Sequence, residues 1–284
     1  MPDFPIIDSH LHLWDPGLLR YPWLDEIPLL NRSYQLQDYN AATKGAVIDK
    51  MVFVQCECAP SQCEAEAAWV TQLAAVDPRI QGIVPWAPLE LGEGARPTLE
   101  RYSKNPLIKG IRRIIQFEPD PEFCLQDDFI RGVQLLADYD FAFDICVSHT
   151  QLGNVIKLIE RCPGVRFIID HIGKPNIREQ VVEPWRTAIG SLAAFDQVYC
   201  KLSGLVTEAD HGEWKREDLS AYIGWVLSAF GTDRLIFGGD WPVVCQAASY
   251  SRWLTTLEAE LTGLSRGERI KIFYENAIKF YRLN

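Results

Sequence analysis

Short apolar runs alternate with stretches of helical period along this chain, and the runs number eight: residues 4–7, 50–56, 80–86, 107–114, 141–147, 165–169, 198–202 and 234–237. Helical patterns stand at 64–76, 126–139, 151–161, 184–195, 219–230, 250–262 and 266–282. Strands separated by helices pair in parallel, because each helical crossover returns the chain to the end of the sheet where it started. Eight such units predict a closed α/β barrel, the (β/α)8 or TIM barrel. The 284 residues, 48% of them hydrophobic, fit one domain of this kind over 1–284 and leave too little chain for a second. A doubly wound dinucleotide-binding sheet is the competing architecture. No G-x-G-x-x-G follows the first run, however, and Gly238-Gly239 comes late, with Asp240-Trp241-Pro242 behind it. Residues 14–40, rich in Pro, Leu and aromatics, read as a long first βα loop covering the barrel mouth.

Charge narrows the partners. The formal net charge is −10, from 28 Lys and Arg against 38 Asp and Glu, with no basic run, which argues against nucleic acid and anionic membranes. No apolar stretch approaches the roughly 20 residues that span a bilayer. Met1-Pro2-Asp3-Phe4-Pro5 lacks the basic and apolar regions of a signal peptide, so the expected location is cytoplasmic. The eight cysteines show no paired C-x-x-C spacing, and Cys146 and Cys200 lie inside apolar runs; they read as reduced, structural thiols.

Chemistry gathers where the runs end. Of five histidines, His10, His12, His149 and His171 fall at such ends, and Asp240 follows the eighth run. Strand alternation puts His10 and His12 on one face and Leu11 and Leu13 on the other, so two imidazoles enter one cavity as a metal-ligand or proton-transfer pair. Gly238 and Gly239 let the backbone approach closely at Asp240, whose carboxylate can ligate a metal and deprotonate water. The candidate catalytic residues are Asp240, His171, His10 and His12. The same four are candidate ligands of a single divalent metal, zinc or manganese, with a position left open for water. Candidate substrate-binding residues are Arg112 and Arg113, one of which alternation sends inward, with Gln116, His149, Lys174 and Trp241. Gln55 with Glu57, and Lys201 with Ser203, share faces at two further strand ends and read as supports, while His211 reads as solvated or part of a lid.

Taken together, several segments carry a resemblance: Ile7-Asp8-Ser9-His10-Leu11-His12-Leu13-Trp14-Asp15-Pro16, Tyr21-Pro22-Trp23-Leu24, Asp170-His171-Ile172-Gly173-Lys174-Pro175, Cys200-Lys201-Leu202-Ser203-Gly204-Leu205 and Phe237-Gly238-Gly239-Asp240-Trp241-Pro242-Val243. In that order they resemble the amidohydrolase-2 family of the amidohydrolase superfamily, and within it the sugar-lactonase branch. The resemblance implies a (β/α)8 hydrolase acting on lactones of acid sugars, such as L-fuconolactone or L-rhamnonolactone. Related activities in the branch include hydrolysis of a pyrone dicarboxylate, hydrolysis of sulfomuconolactone and isomerisation of galactarolactone. Binuclear relatives need a carboxylated lysine or a glutamate ending the fourth strand; here that place reads Ile111-Arg112-Arg113-Ile114, which argues against two metals. Similar lactonases also include members that work without metal, so a metal need not be required for activity.

A lactone is an ester, so its carbonyl must be polarised while water is deprotonated and aimed at it. Asp240 is the expected general base, with His10, His12 and His171 stabilising the oxyanion directly or through a bound cation. The alternatives are lactone isomerisation and a metal-dependent decarboxylase or hydrolase of another cyclic acid.

Overall fold

Val, Ile and Phe recur in consecutive positions of the apolar runs, as a parallel strand buried on both faces requires. The computed structural model, which describes residues 1–284, contains eight strands: β1 (Ile6–Leu11), β2 (Ile48–Val54), β3 (Ile80–Val84), β4 (Gly110–Arg112), β5 (Ala142–Ile145), β6 (Arg166–Ile169), β7 (Val198–Leu202) and β8 (Leu235–Phe237). All pair in parallel, as β1-β2-β3 and β4-β5-β6-β7-β8. Two seams close them into the expected barrel. Ile83 bridges Ile108 between β3 and β4, and Leu11 bridges Trp241 between β1 and the segment after β8. At the second seam Asp240 N donates to His10 O at 2.8 Å and His12 N donates to Trp241 O at 2.8 Å.

The helices are α1 (Leu36–Ala42), α2 (Cys63–Val76), α3 (Arg96–Tyr102), α4 (Asp127–Gln134), α5 (Leu152–Arg161), α6 (Trp185–Ala193), α7 (Arg216–Phe230), α8 (Tyr250–Glu260), α9 (Arg266–Ile270) and α10 (Asn276–Tyr281). Three differ in kind from the sequence expectation. The pattern at 126–139 is α4 followed by a 3-10 turn over Leu135–Tyr139, and the run at 266–282 is α9 and α10 joined by a π-turn over Lys271–Glu275. No helical period is legible before α3, because Gly92, Gly94 and Pro97 interrupt it, yet Pro97 is well placed in the first turn, where its missing N–H costs nothing. The long first loop is a built structure: it contains a 3-10 turn at Pro22–Glu26, pairs Trp14 with Tyr34, and runs into α1.

Inside the barrel the side chains form two layers. Ile7, Val52, Val54, Val84, Ala142, Ile168, Tyr199 and Ile236 fill the lower one, which Phe280, Tyr281 and Leu283 seal from below. Above it the same strands bury His10, Arg112, Asp144, Asp170 and Lys201. All eight cysteines are free thiols, as expected. No helix is long and apolar enough to cross a membrane.

Candidate active site

The two histidines of the first strand owe their aim to an irregularity. Ile7 faces the inner layer, so strict alternation would send Ser9 and Leu11 inward after it. Instead the register of β1 against β2 shifts between Asp8 and Leu11, Leu11 and Leu13 join the outer core, and His10 and His12 turn to the cavity. His12 Nδ1 lies 2.7 Å from the Val54 carbonyl and must donate to it, so Nε2 carries the lone pair. That lone pair stands 3.5 Å from Asp240 Oδ1, and His10 Nε2 stands 3.8 Å from the same oxygen.

Asp240 reaches this point on a strained backbone with φ +54°. Both glycines before it are obligatory. A Cβ at Gly238 would come within 2.6 Å of the His10 Cβ, and one at Gly239 within 2.3 Å of the Tyr250 ring. Gly239 N donates to Asp8 Oδ1 at 2.8 Å, and Tyr39 OH donates to Asp8 Oδ2 at 2.9 Å, which pins the turn. Burial alone would raise the Asp240 carboxyl, but His171 beside it pulls it below the ordinary carboxylate range. Burial also pushes His171 down to about 4 and lowers His12, and burial together with Lys201 holds His10 well below the usual histidine range. At neutral pH the site is therefore an ionised carboxylate among three neutral imidazoles.

His171, Ile172 and Lys174 all take positive φ, so the chain leaves β6 in a tight left-handed turn. Ser203 Oγ lies 3.0 Å from His171 Nδ1, and a Cβ at Gly204 would strike that ring at 2.3 Å. Below the imidazoles, Lys201 Nζ contacts Asp144 Oδ2 at 2.5 Å, Asp170 Oδ1 at 3.0 Å and His10 Nδ1 at 3.1 Å, all fully buried. Tyr281 OH donates to the same Asp144 oxygen at 2.6 Å. Arg112 Nη1 reaches Asp170 Oδ2 at 3.3 Å and His10 Nε2 at 3.2 Å, while Nη2 donates to Gln55 O at 2.5 Å.

His10, His12 and Asp240 form a buried group whose ligand atoms lie within 4.8 Å of one another. The donor chemistry fits a divalent ion. Two ligand atoms on a tetrahedral zinc stand roughly 3.3 Å apart, and a lone pair facing a carboxylate at 3.5 Å is repulsive unless a cation lies between. Of the four anticipated ligands, His171 stands beside this triad and groups instead with His10 and Asp170. Arg112 shares the His10 Nε2 lone pair, so it would have to release that atom on metal binding.

A cavity of about 720 Å³ opens above the triad, lined by 21 residues that include Trp14, Trp23, Trp86, Phe117, Glu57, Gln116 and Lys174. Arg112, Gln116 and Lys174 thus reach the place expected of substrate-binding residues; three others do not. Arg113 alternates outward and is tied to Glu90 at 3.2 Å and Glu118 at 2.5 Å. Trp241 is buried between Tyr34 and Tyr39, with ring centroids 5.4 Å from each, and it packs the first loop onto the barrel. His149 Nδ1 lies 3.1 Å from the Lys174 carbonyl and braces that turn from behind. His211 is exposed. Asp144 and Asp170 went unread as site residues, although a charge inside an apolar strand run, Phe141-Ala142-Phe143-Asp144-Ile145, is itself a signal for an inward polar partner.

Compared with known proteins, residues 7–283 match the family described as amidohydrolase. The chain is 33% identical to an L-fucono-1,5-lactonase of Burkholderia multivorans, over 98% of this chain and 96% of that one. It is 21% identical to an L-rhamnono-gamma-lactonase of Scheffersomyces stipitis along the full length of both. Among solved structures, an amidohydrolase of Burkholderia multivorans with bound zinc superimposes with a TM-score of 0.90 at 32% identity, covering 99% of this chain and 100% of that one.

Proposed function

The chain belongs to the amidohydrolase family, and we propose that it hydrolyses a sugar-acid lactone of the L-fuconolactone or L-rhamnonolactone type to the open-chain aldonic acid. The observation that carries this reading is the convergence of His10, His12 and Asp240, their ligand atoms within 4.8 Å of one another, beside His171 at the floor of a cavity with tryptophan walls. Lactonase relatives at 33% and 29% identity support it.

Asp240 takes a proton from water as the oxygen adds to the lactone carbonyl carbon. The carbonyl oxygen gains the electron pair and is met by hydrogen-bond donors. In the tautomer where the Ser203 hydroxyl donates to His171 Nδ1, Nε2 is an N–H available to that oxygen, and Lys174, paired with Glu208, lies on the same wall. Asp240 then returns its proton to the ring oxygen as the carbon–oxygen bond breaks. The carboxylic acid product ionises, so one proton is released per turnover. His10, His12 and Asp240 would hold one zinc ion, as the relative with bound zinc suggests. A metal there would polarise the carbonyl and make the attacking water more acidic, which a carboxylate held this low needs.

The charges on the cavity wall favour a neutral lactone over a dicarboxylate. Arg112 is already paired with Asp170, and Lys174 faces Glu208 at 3.4 Å. Glu57 and Asp240 add negative charge, so two carboxylates would enter without an unpaired cation to meet them. Proton release across L-fucono-, L-rhamnono-, L-galactono- and D-galactonolactone tests the reading, with the pyrone dicarboxylate as outgroup. Acidification with one sugar lactone supports it; silence across the sugars moves the assignment to isomerisation or decarboxylation. Asp240→Asn is expected to lower kcat by about 10²- to 10⁴-fold with an unchanged thermal midpoint, and near-normal turnover would remove Asp240 from its role.

A further inference from the structure

One cavity group has no part in the hydrolysis just described. Glu57 follows β2 at the mouth, lines the cavity and is half-buried. Its backbone is left-handed, with φ +52°. A glutamate there is strained where a glycine would not be. Of the eight non-glycine residues with positive φ, five are Glu57, His171, Ile172, Lys174 and Asp240, so Glu57 shares this conformation with the turns that aim the other polar groups of the site. The strained turn is held by its own clamp. Gln55 Nε2 donates to Glu57 Oε1 at 2.6 Å, and Glu57 N donates to Gln55 Oε1 at 2.5 Å. Gln55 is in turn held through its carbonyl by Arg112.

The clamp uses one carboxylate oxygen and leaves the other free. Glu57 makes no ion pair, and Oε2 has no hydrogen-bond partner in the protein. The other two carboxylates lining the cavity differ: Asp240 is surrounded by imidazoles and Glu26 is exposed on the rim. An anchored carboxylate with a free oxygen, beside flat aromatic walls, is an acceptor for hydroxyl groups. Such a hydrogen bond to a charged acceptor is stronger than one to a neutral acceptor.

We propose that Glu57 is a specificity-determining residue whose free carboxylate oxygen accepts ring hydroxyls of the lactone, selecting polyhydroxylated lactones over bare ones and repelling anionic ones. This rests on the lactonase reading above. It also explains why strain is retained at position 57: the left-handed turn places a carboxylate where an extended chain would send it elsewhere.

The test compares the best sugar lactone with δ-valerolactone, which has the ring and no hydroxyls, in the wild type and in Glu57→Gln. The amide keeps an acceptor oxygen for Gln55 but loses the charge. The preference for the hydroxylated lactone in kcat/KM is expected to fall about 10- to 100-fold, mainly through KM. An equal fractional loss on both lactones, or an unchanged preference, overturns the proposal. A second readout does not depend on turnover: in the Asp240→Asn background, binding of the intact sugar lactone, followed by tryptophan fluorescence from Trp14, Trp23 and Trp86, should weaken by the same factor when Glu57→Gln is added. If the wild type hydrolyses no lactone and the Asp240→Asn protein binds none, the lactonase reading itself fails and the proposal with it. If lactone is hydrolysed but neither readout moves with Glu57, only the proposal fails.

Discussion

The lower and upper halves of the barrel interior are made by the same eight strands and follow opposite rules. Below, Ile7, Val52, Val54, Val84, Ala142, Ile168 and Ile236 alternate regularly, close-pack and are sealed by Phe280 and Tyr281. Above, the strands carry buried charge: Lys201 among Asp144, Asp170 and His10, and Arg112 bridging His10 and Asp170. Alternation persists on β5, β6 and β7, where Ala142, Ile168 and Tyr199 are followed two residues later by Asp144, Asp170 and Lys201. It breaks at β1, and left-handed residues take over beyond β2, β6 and β8. The lower half therefore supplies stability and the upper half spends some of it on orienting buried polar groups.

That contrast can be broken at three points. The largest expected effect is at Glu66, a carboxyl on α2 beside the mouth, which burial raises to about 8. Because its folded value lies above the unfolded one of 4.5, the native state binds the extra proton between these pH values, and stability falls as pH rises from about 4.5 to 8. The loss has a ceiling of about 5 kcal/mol at the upper end. Glu66→Gln should remove it, so thermal midpoints of the two proteins should coincide near pH 5 and diverge in favour of the variant at pH 9. Parallel curves would show that Glu66 is not a buried neutral acid.

Next comes Lys201→Met, which leaves Asp144 and Asp170 buried without their ammonium and is expected to cost about 3–5 kcal/mol. A denaturant midpoint close to wild type would mean that the upper network is solvated, erasing the difference between the halves. The smallest expected effect is Ile168→Ala in the lower layer, at about 2–4 kcal/mol of stability. Here kcat/KM measured well below the melting point should not change. A catalytic defect in this variant would show that the lower layer positions the site as well as supporting it.

How much of this was legible in the sequence differs along the chain. The apolar runs of β5 to β8 are legible because a strand buried on both faces is apolar along most of its length, even with Asp144 inside β5 and Lys201 inside β7. The apolar run at 107–114 yields only the short β4, Gly110–Arg112, because Leu107 and Ile108 belong to the segment that closes the seam with β3. His10, His12 and His171 stand out as a scarce residue type at strand ends, with the Asp240 carboxylate after the eighth run, and the four do meet. Arg112 and Arg113 could not be separated without knowing which parity faces the axis. Trp241 and His149 sit at the right height in the barrel but pack outside the cavity, a distinction that adjacency in sequence does not encode.

By itself, then, the sequence determined the barrel, the family and the identity of the residues at its mouth, because periodicity and scarce chemistry are local properties of a chain. Tertiary structure decided where those side chains point. The register shift in β1, the left-handed turns at Glu57, His171 and Asp240, and the burial that keeps three imidazoles neutral around one ionised carboxylate all arise from neighbours distant in sequence. A side chain's direction and proton affinity are set by what packs against it, and that is known only once the eight strands have closed.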